Sequence, residues 1–295
     1  MDLASSFTPA LVGVLRSLTP WRKLELARDL NRMADVLALA GLRLRQPTVS
    51  DAMLAYSVAI QRLGPGQRQH GIACLEGMYL IATPIDPLVL AVRVGSLLDH
   101  LGITYVIGGS VAAVVHGEYR MTRALDIILS LTSRDRQALA AGLREDFTFL
   151  PSDITDAFNR IPEAREDWRK RASFCAYDKA TGFQLDIYLS SGRPFERMQF
   201  LRAVTVPIPG EGGGFLRIAS AEDTILAKLE WYKLSPSDRH WRDIQAILYV
   251  QGDALALAYL HTWAESLGVT DLLELALKGQ PPSTPADQPQ QQRMF

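Results

Sequence analysis

The sequence predicts an α+β fold in which a mixed β-sheet core lies between two helical regions. Three observations lead to this prediction: apolar residues recur at helical spacing over the first 85 positions, short apolar runs alternate with helical patterns over 86–218, and helical periodicity returns from 219. We therefore divide the chain into a helical domain (1–85), a sheet core (86–218) and a helical region (219–278). The Pro- and Gln-rich tail, 279–295, is predicted to be disordered.

The amino-terminal helices are marked by capping residues. Thr19-Pro20 begins a helix that is predicted to run to Gly41, and Ser50-Asp51 begins another that ends near Gly64. Neither helix carries a pattern that indicates catalysis.

The core is predicted to alternate between strands and helices. The predicted strands are 103–107, 125–131, 147–150, 173–177, 183–189 and 203–208, and the predicted helices are 88–100, 110–116 and 134–145, the last capped by Ser133. Four further helices are predicted at 221–234, 237–250, 253–267 and 272–277.

Composition indicates a soluble globular protein. Of 295 residues, 48% are hydrophobic and 21% charged, and the formal net charge of -1 argues against nucleic-acid binding by bulk electrostatics. Cys74 and Cys175 share no metal-ligand or redox spacing, so we expect two reduced thiols. Without a signal peptide or a run of about 20 apolar residues, we expect a cytoplasmic protein and no membrane partner.

The most informative segment links a glycine turn to a lone aspartate. An apolar run leads into Gly108-Gly109-Ser110, a short apolar helix follows, and Arg120, Thr122 and Asp126 come next. Glycines allow a backbone to approach phosphate closely, and a helix start favours an anion. A plain strand-to-helix turn would use the same three residues, so the tripeptide alone is weak evidence.

Taken together, these residues resemble the nucleotidyltransferase superfamily typified by DNA polymerase beta, and within it the bacterial toxin-type and minimal nucleotidyltransferases. The pattern of that family is Gly-Gly-Ser followed by Gly-x-x-Arg-x-Thr-x-Asp-h-Asp, where h is apolar. This chain matches it except that Ala124 stands at the first aspartate. The resemblance covers about residues 88 to 250.

The resemblance implies a divalent-cation site that lacks one ligand. Asp126 would be a catalytic metal ligand of Mg²⁺ or Mn²⁺, and Ala124, which projects to the same side of the strand, has no donor atom. Asp186, in a predicted strand, fits the third carboxylate, which often acts as general base. It would otherwise be a strand-end aspartate bonded to a nearby arginine.

The resemblance also assigns residues to the nucleoside triphosphate. Its binding residues would be Gly108, Gly109, Ser110, Arg120, Thr122, Lys228, Arg239 and Arg242. Lys228 would reach the triphosphate as a point charge. Arg239 to Asp243 matches an Arg-x-x-Lys-Asp stretch with arginine in place of lysine, and an ordinary salt-bridged helix explains those charges equally well.

The implied reaction is Mg²⁺-dependent transfer of a nucleoside monophosphate to a hydroxyl acceptor, strongly impaired here by Ala124. By analogy with toxin-type members, the acceptor would be the 3′ end of a tRNA and the protein partner a cognate antitoxin. One alternative is a protein or small-molecule acceptor, as in AMP-transferring antitoxins and aminoglycoside-modifying enzymes. Another is an inactive nucleotide-binding or protein-interaction module.

Overall fold

The computed structural model describes residues 8–282 except 65, 82, 83, 85, 118, 119, 211 and 212. The predicted disordered tail therefore lies outside the described residues from position 283 onward. No helix in the described part of the chain is both long and apolar enough to span a bilayer.

The structure confirms the α+β class with a mixed sheet. Its described helices are α1 (Pro9–Ser17), α2 (Pro20–Arg45), α3 (Asp51–Arg62), α4 (Arg68–Leu75), α5 (Pro87–His100), α6 (Gly109–His116), α7 (Asp135–Asp146), α8 (Pro151–Glu166), α9 (Pro194–Leu201), α10 (Ala221–Leu234), α11 (Asp238–Gln251), α12 (Leu257–Leu267) and α13 (Thr270–Leu277). Its strands are β1 (Thr104–Ile107), β2 (Ala124–Ser130), β3 (Phe147–Thr148), β4 (Ser173–Asp178), β5 (Gln184–Leu189), β6 (Val204–Pro207) and β7 (Phe215–Ile218). The strand order is β3-β4-β5-β2-β1-β7-β6.

The chain forms two compact units. The central unit comprises residues 25–105 and 121–193, and the carboxyl-terminal unit comprises 8–24, 106–120 and 194–282. The division falls within α2 and within β1.

The central unit is built on β3, β4, β5 and β2. Strands β2 and β5 are parallel, whereas β4 is antiparallel to both β5 and β3. Along β2 and β5 every second residue is buried and apolar, which leaves the opposite face for polar side chains. The buried set is Leu125, Ile127, Leu129, Leu185, Ile187 and Leu189.

The carboxyl-terminal unit is mainly helical. Ser220 caps α10 by accepting a hydrogen bond from the Asp223 amide at 3.1 Å, as the Ser-Ala-Glu-Asp sequence favours. Helix α10 packs on α6, α11 and α12 around an apolar cluster that includes Leu226, Leu229 and Ile247.

Several sequence predictions are wrong in detail. Helix α2 continues through Gly41 to Arg45, because one glycine costs only about 1 kcal/mol in a long helix. Helices α1, α4, α8 and α9 and strand β7 were not predicted. Ser133 does not cap α7; instead, the Asp135 carboxylate accepts hydrogen bonds from the amide and hydroxyl of Thr132 at 2.7 and 2.8 Å.

Candidate functional site

The polar face of the central sheet brings two predicted carboxylates side by side. Asp126 of β2 is the register partner of Asp186 of β5, and Cys175 of β4 is the partner of Asp186 on its other side. Residues in register on adjacent strands project to the same face. We call Asp126, Asp186 and Cys175 the carboxylate row.

The position without a carboxylate is paired with a glutamine. Ala124 is the register partner of Gln184, two residues before Asp126 and Asp186 respectively. The Gln184 Nε2 donates a hydrogen bond to Asp186 Oδ1 at 2.6 Å. A neutral amide therefore satisfies Asp186 from the side on which the family pattern has a further metal ligand.

The Cys175 thiol is a second donor to Asp186. Its Sγ lies 3.0 Å from Asp186 Oδ1 and 3.3 Å from Gln67 Oε1. Burial raises the pKa of Asp186, and the hydrogen bonds from Cys175 and Gln184 oppose that shift without reversing it. Asp186 thus sits among neutral donors.

The groups around the carboxylate row stay protonated. Burial raises the pKa of the Cys175 thiol, and the negative charge of Asp186 raises it further. Burial, then Asp186 and Asp126, likewise raise the pKa of Tyr188. The carboxylates of the row therefore lie near a thiol and a phenol rather than a thiolate and a phenolate.

Two carboxylates of the carboxylate row are of the kind that Mg²⁺ binds. Carboxylates serve as Mg²⁺ ligands together with phosphate and water oxygens, and Asp126 and the second oxygen of Asp186 are the groups here that would hold such an ion. Ala124 adds no donor atom, and Oδ1 of Asp186 already accepts two hydrogen bonds.

The Gly-Gly-Ser turn lies in the carboxyl-terminal unit, at the start of α6. Gly109 has a φ of +57°, a left-handed conformation that strongly favours glycine. A Cβ added to Gly108 would meet no atom within 4 Å. The fold therefore requires glycine at 109, whereas at 108 it leaves open space in front of the helix.

Helix α6 is fixed firmly behind that turn. His116 contributes its Nε2 to a 2.7 Å hydrogen bond with the Ala219 carbonyl, and burial lowers its pKa, so the neutral ring donates. Lys23 Nζ donates to the Val115 carbonyl at 3.1 Å. His116 is thus a packing residue.

Arg120 and Lys228 meet at a shared carboxylate. Arg120 donates two hydrogen bonds of 2.7 Å to the oxygens of Asp243, and Lys228 Nζ donates to Oδ2 at 2.6 Å. Burial by itself would raise the pKa of Asp243, but these two cations lower it overall. We call these three residues the ion cluster; its formal charge is one positive unit.

His240 lies beside the ion cluster in helix α11. Its Nδ1 is buried without a hydrogen-bond partner among the described residues. Burial lowers its pKa to about 4, and Lys228 contributes in the same direction. The imidazole is therefore neutral at pH 7.

The remaining predicted residues have simpler surroundings. Thr122 is buried and donates to the Ala124 carbonyl at 2.7 Å, which fixes the start of β2. Arg239 and Arg242 are exposed on α11. Ser110 is buried in the first turn of α6.

Sequence reasoning missed Gln184, Cys175, Tyr188 and His240. The first and third had a usable signal, because they lie two residues either side of Asp186 and so share its face of the strand. The position of Cys175 beside Asp186 depends on the register of the hairpin, and the position of His240 beside the ion cluster depends on tertiary packing. Neither can be predicted from a single sequence.

No protein-family model matches this sequence, and no curated protein matches it either. The chain is similar in structure to an antigenic nucleotidyltransferase-like protein from Paracoccidioides brasiliensis, with 16% identity, 65% of this chain and 92% of that one covered, and a TM-score of 0.35. It is also similar to the antibiotic-resistance factor ANT(2'')-Ia, with 12% identity, 64% and 96% covered, and a TM-score of 0.38. Similarity at this level does not establish a shared activity.

Proposed function

We propose that this chain is a nucleotidyltransferase-type protein that binds a nucleoside triphosphate and whose transfer of the nucleoside monophosphate to a hydroxyl is strongly impaired. The observation that supports this best is the register of β2 and β5. It places Asp126 beside Asp186 on one polar face and puts Ala124 where the motif has a further carboxylate.

The proposed binding role falls to the glycine turn and the ion cluster. Gly108 leaves open space before α6, where the helix dipole favours a phosphate. Arg120 and Lys228 together exceed the charge of Asp243 by one positive unit, which suits a polyanion. Arg239 and Arg242 are exposed, so either can contact a ligand without moving buried groups.

The proposed catalytic role falls to the carboxylates. A bound Mg²⁺ would neutralise charge on the transferring phosphoryl group, and Asp126 with Asp186 would hold it. Asp186 would also accept the proton of the acceptor hydroxyl, a role for which a pKa raised by burial is suitable.

The proposed impairment has two causes. Ala124 withholds a metal ligand, and the Gln184 amide occupies one oxygen of Asp186. Loss of metal-ion charge stabilisation costs several kcal/mol in the transition state, so we expect residual transfer to be very slow.

The acceptor proposed from the motif is the 3′ end of a tRNA, in a toxin whose partner is a cognate antitoxin. A protein hydroxyl or an aminoglycoside-type small molecule is the alternative within the same chemistry. An inactive nucleotide-binding or interaction module is the alternative outside it. Each of these remains an analogy with the motif's family.

The test introduces a carboxylate at position 124 and removes the hydrogen bond from Gln184 to Asp186. We would compare the unmodified chain, Ala124→Asp, and Ala124→Asp combined with Gln184→Ala, which removes one of the two hydrogen bonds to Asp186 Oδ1. Each would receive Mg²⁺, one labelled ribonucleoside triphosphate at a time, and either total tRNA or cell lysate. Ala124→Asn in the same background is the matched control, because it restores volume without a carboxylate.

We expect label transfer to appear with Ala124→Asp and to rise further in the double variant. The labelled species identifies the acceptor: RNA supports the toxin, whereas protein supports the antitoxin-like enzyme. Absence of transfer from every folded variant, with triphosphate binding retained, would reject the transferase and favour the binding module. Absence of both transfer and binding would reject the proposal altogether.

A further inference from the structure

A second polar cluster lies in the central unit, outside the carboxylate row. Within the described part of the chain, His70, Cys74 and Asp153 offer three ligand atoms that all lie within 4.8 Å of one another. His70 Nε2 is 3.0 Å from Asp153 Oδ2, and Cys74 Sγ is 3.8 and 3.9 Å from the two ring nitrogens of His70. Nitrogen, sulfur and oxygen donors thus meet at one point.

The backbone fixes these three side chains from two elements. His70 and Cys74 are four residues apart in α4, so they share one face of that helix. Gly71 allows the close approach of α4, because a Cβ there would lie 2.2 Å from Leu63 Cδ1 and 3.3 Å from the Tyr177 hydroxyl. Asp153 belongs to the first turn of α8 and accepts a hydrogen bond from the Leu150 amide at 2.7 Å.

Tyr177 sets the orientation of the His70 ring. The Tyr177 hydroxyl lies 3.2 Å from His70 Nδ1, and Tyr177 is fully buried. A partner on one ring nitrogen fixes the tautomer and leaves the other nitrogen as the ligand, which is the usual arrangement around metal-binding histidines. Here the other nitrogen, Nε2, faces Asp153.

The candidate ligand residues have oxygen and sulfur atoms that few other groups contact. Among the described residues, Cys74 Sγ has no hydrogen-bond partner except the His70 ring, and Asp153 Oδ1 has none. The side chain of His70 is 28% exposed and that of Asp153 is 13% exposed, so an ion can reach the cluster from solvent.

The spacing is close to that of a tetrahedral transition-metal site. Ligand bonds of about 2.0–2.3 Å at tetrahedral angles put neighbouring donor atoms roughly 3.3–3.6 Å apart. His70 Nε2 is 3.0 Å from Asp153 Oδ2 and 3.9 Å from Cys74 Sγ, and the ligand atoms of Cys74 and Asp153 lie within 4.8 Å of each other, so side-chain rotations would complete the geometry. We propose that His70, Cys74 and Asp153 bind a zinc-class divalent cation, with a fourth position left for water or another ligand.

The competing arrangement needs no metal. In it His70 and Asp153 form an ion pair, in which the hydrogen bond that His70 donates to Asp153 is the main cause that raises the pKa of His70 to about 10. Cys74 would then remain a buried thiol. The two arrangements differ in whether the sulfur becomes a ligand, which gives the experiment its readout.

The test is titration of Co²⁺ into the metal-stripped full-length protein, read by the thiolate-to-cobalt charge-transfer band and by thermal melting. We expect one equivalent to bind with that band and to raise the melting temperature, and Zn²⁺ to displace it. Cys74→Ser should abolish the band, while Cys175→Ser, the matched control, should retain it. Circular dichroism establishes that each variant is folded.

Three further variants sharpen the assignment. His70→Gln and Asp153→Asn should each weaken binding more than tenfold, and Tyr177→Phe should weaken it about 10- to 100-fold by releasing the His70 ring. A folded protein that gives neither the band nor the melting shift would overturn the proposal. So would a band that survives Cys74→Ser or disappears in Cys175→Ser, since the sulfur ligand would then be wrong.

Discussion

The carboxylate row and the ion cluster each contain an aspartate, but its carboxylate is satisfied differently in the two. In the ion cluster, Asp243 is buried and engages two cations through three hydrogen bonds of 2.6–2.7 Å. In the carboxylate row, Asp186 has neutral donors, the Cys175 thiol and the Gln184 amide. One carboxylate is held ionised by charge, and the other has its pKa raised by burial.

This difference underlies the proposed division between binding and catalysis. Asp243 is satisfied by two cations, in the cluster that we propose binds phosphate. Asp186 is satisfied by an amide and a thiol, so its hydrogen bonds in this structure involve no cation. The following predictions test that contrast by stability, pH dependence and binding.

The largest effect is expected from Asp243→Asn. The change leaves Arg120 and Lys228 buried beside a neutral amide, and breaking a buried ion pair costs about 3–5 kcal/mol. Urea unfolding at pH 7 measures it. Asp253→Asn, at an exposed position of the same unit, is the control and should change the free energy of unfolding by less than about 0.5 kcal/mol. A loss equal to the control's would mean that the ion cluster is solvated.

The second effect is a loss of stability at low pH that His240 causes. Because its pKa in the folded protein is about 4, below that of an unfolded histidine, the folded state binds fewer protons between about pH 6.5 and 4. Stability is therefore lost as pH falls through that window, on the order of 3 kcal/mol in total from this group.

His240→Gln removes this group and should flatten the fall in stability between pH 6.5 and 4. Urea unfolding of both proteins at half-unit pH steps measures the two slopes. The matched control is His261→Gln, which makes the same substitution at an exposed histidine. Identical slopes for His240→Gln and the unmodified chain would show that the ring titrates normally.

The third effect separates two adjacent glycines. Gly109→Ala should destabilise the protein by about 1–2 kcal/mol, because φ is +57° there. Gly108→Ala meets no atom within 4 Å, so it should leave stability nearly unchanged and weaken triphosphate binding instead. Calorimetric unfolding and equilibrium binding of a labelled triphosphate measure the two. Undiminished affinity in Gly108→Ala would remove the turn from the proposed site.

Local sequence signals predicted most of the fold, and their failures have physical causes. Capped, periodic segments such as α5 and α10 were found within a residue or two, because the cap and the apolar spacing are both local. Helix α8 was missed although Pro151 marks its start, since its apolar residues are sparse. Strand β7 was missed because its apolar run is short and directly follows a glycine-rich loop.

The part of the site that lies on predicted strands could be predicted from the sequence. Both strands that carry Asp126 and Asp186 were identified, so two carboxylates on one sheet could be expected, although their exact pairing depends on the register of the strands. The role of Gln184 required knowing which residue lies opposite Ala124. The cluster of His70, Cys74 and Asp153 joins residues more than 75 positions apart, and only the four-residue spacing of the first two is visible in the sequence.

The smallest effect is expected from Asp186→Asn. The amide keeps the Oδ1 acceptor for Gln184 and Cys175, so the free energy of unfolding at pH 7 should not fall by more than about 1 kcal/mol. The folded-state pKa of Asp186 is raised, so its ionisation weakens the unmodified protein as pH rises above the unfolded value near 3.8; the asparagine variant should lack that decline. Urea unfolding from pH 4 to 8 measures both. A loss of several kcal/mol at pH 7 would mean that Asp186 is ionised and paired with a cation, as Asp243 is, and the contrast between the two regions would fail.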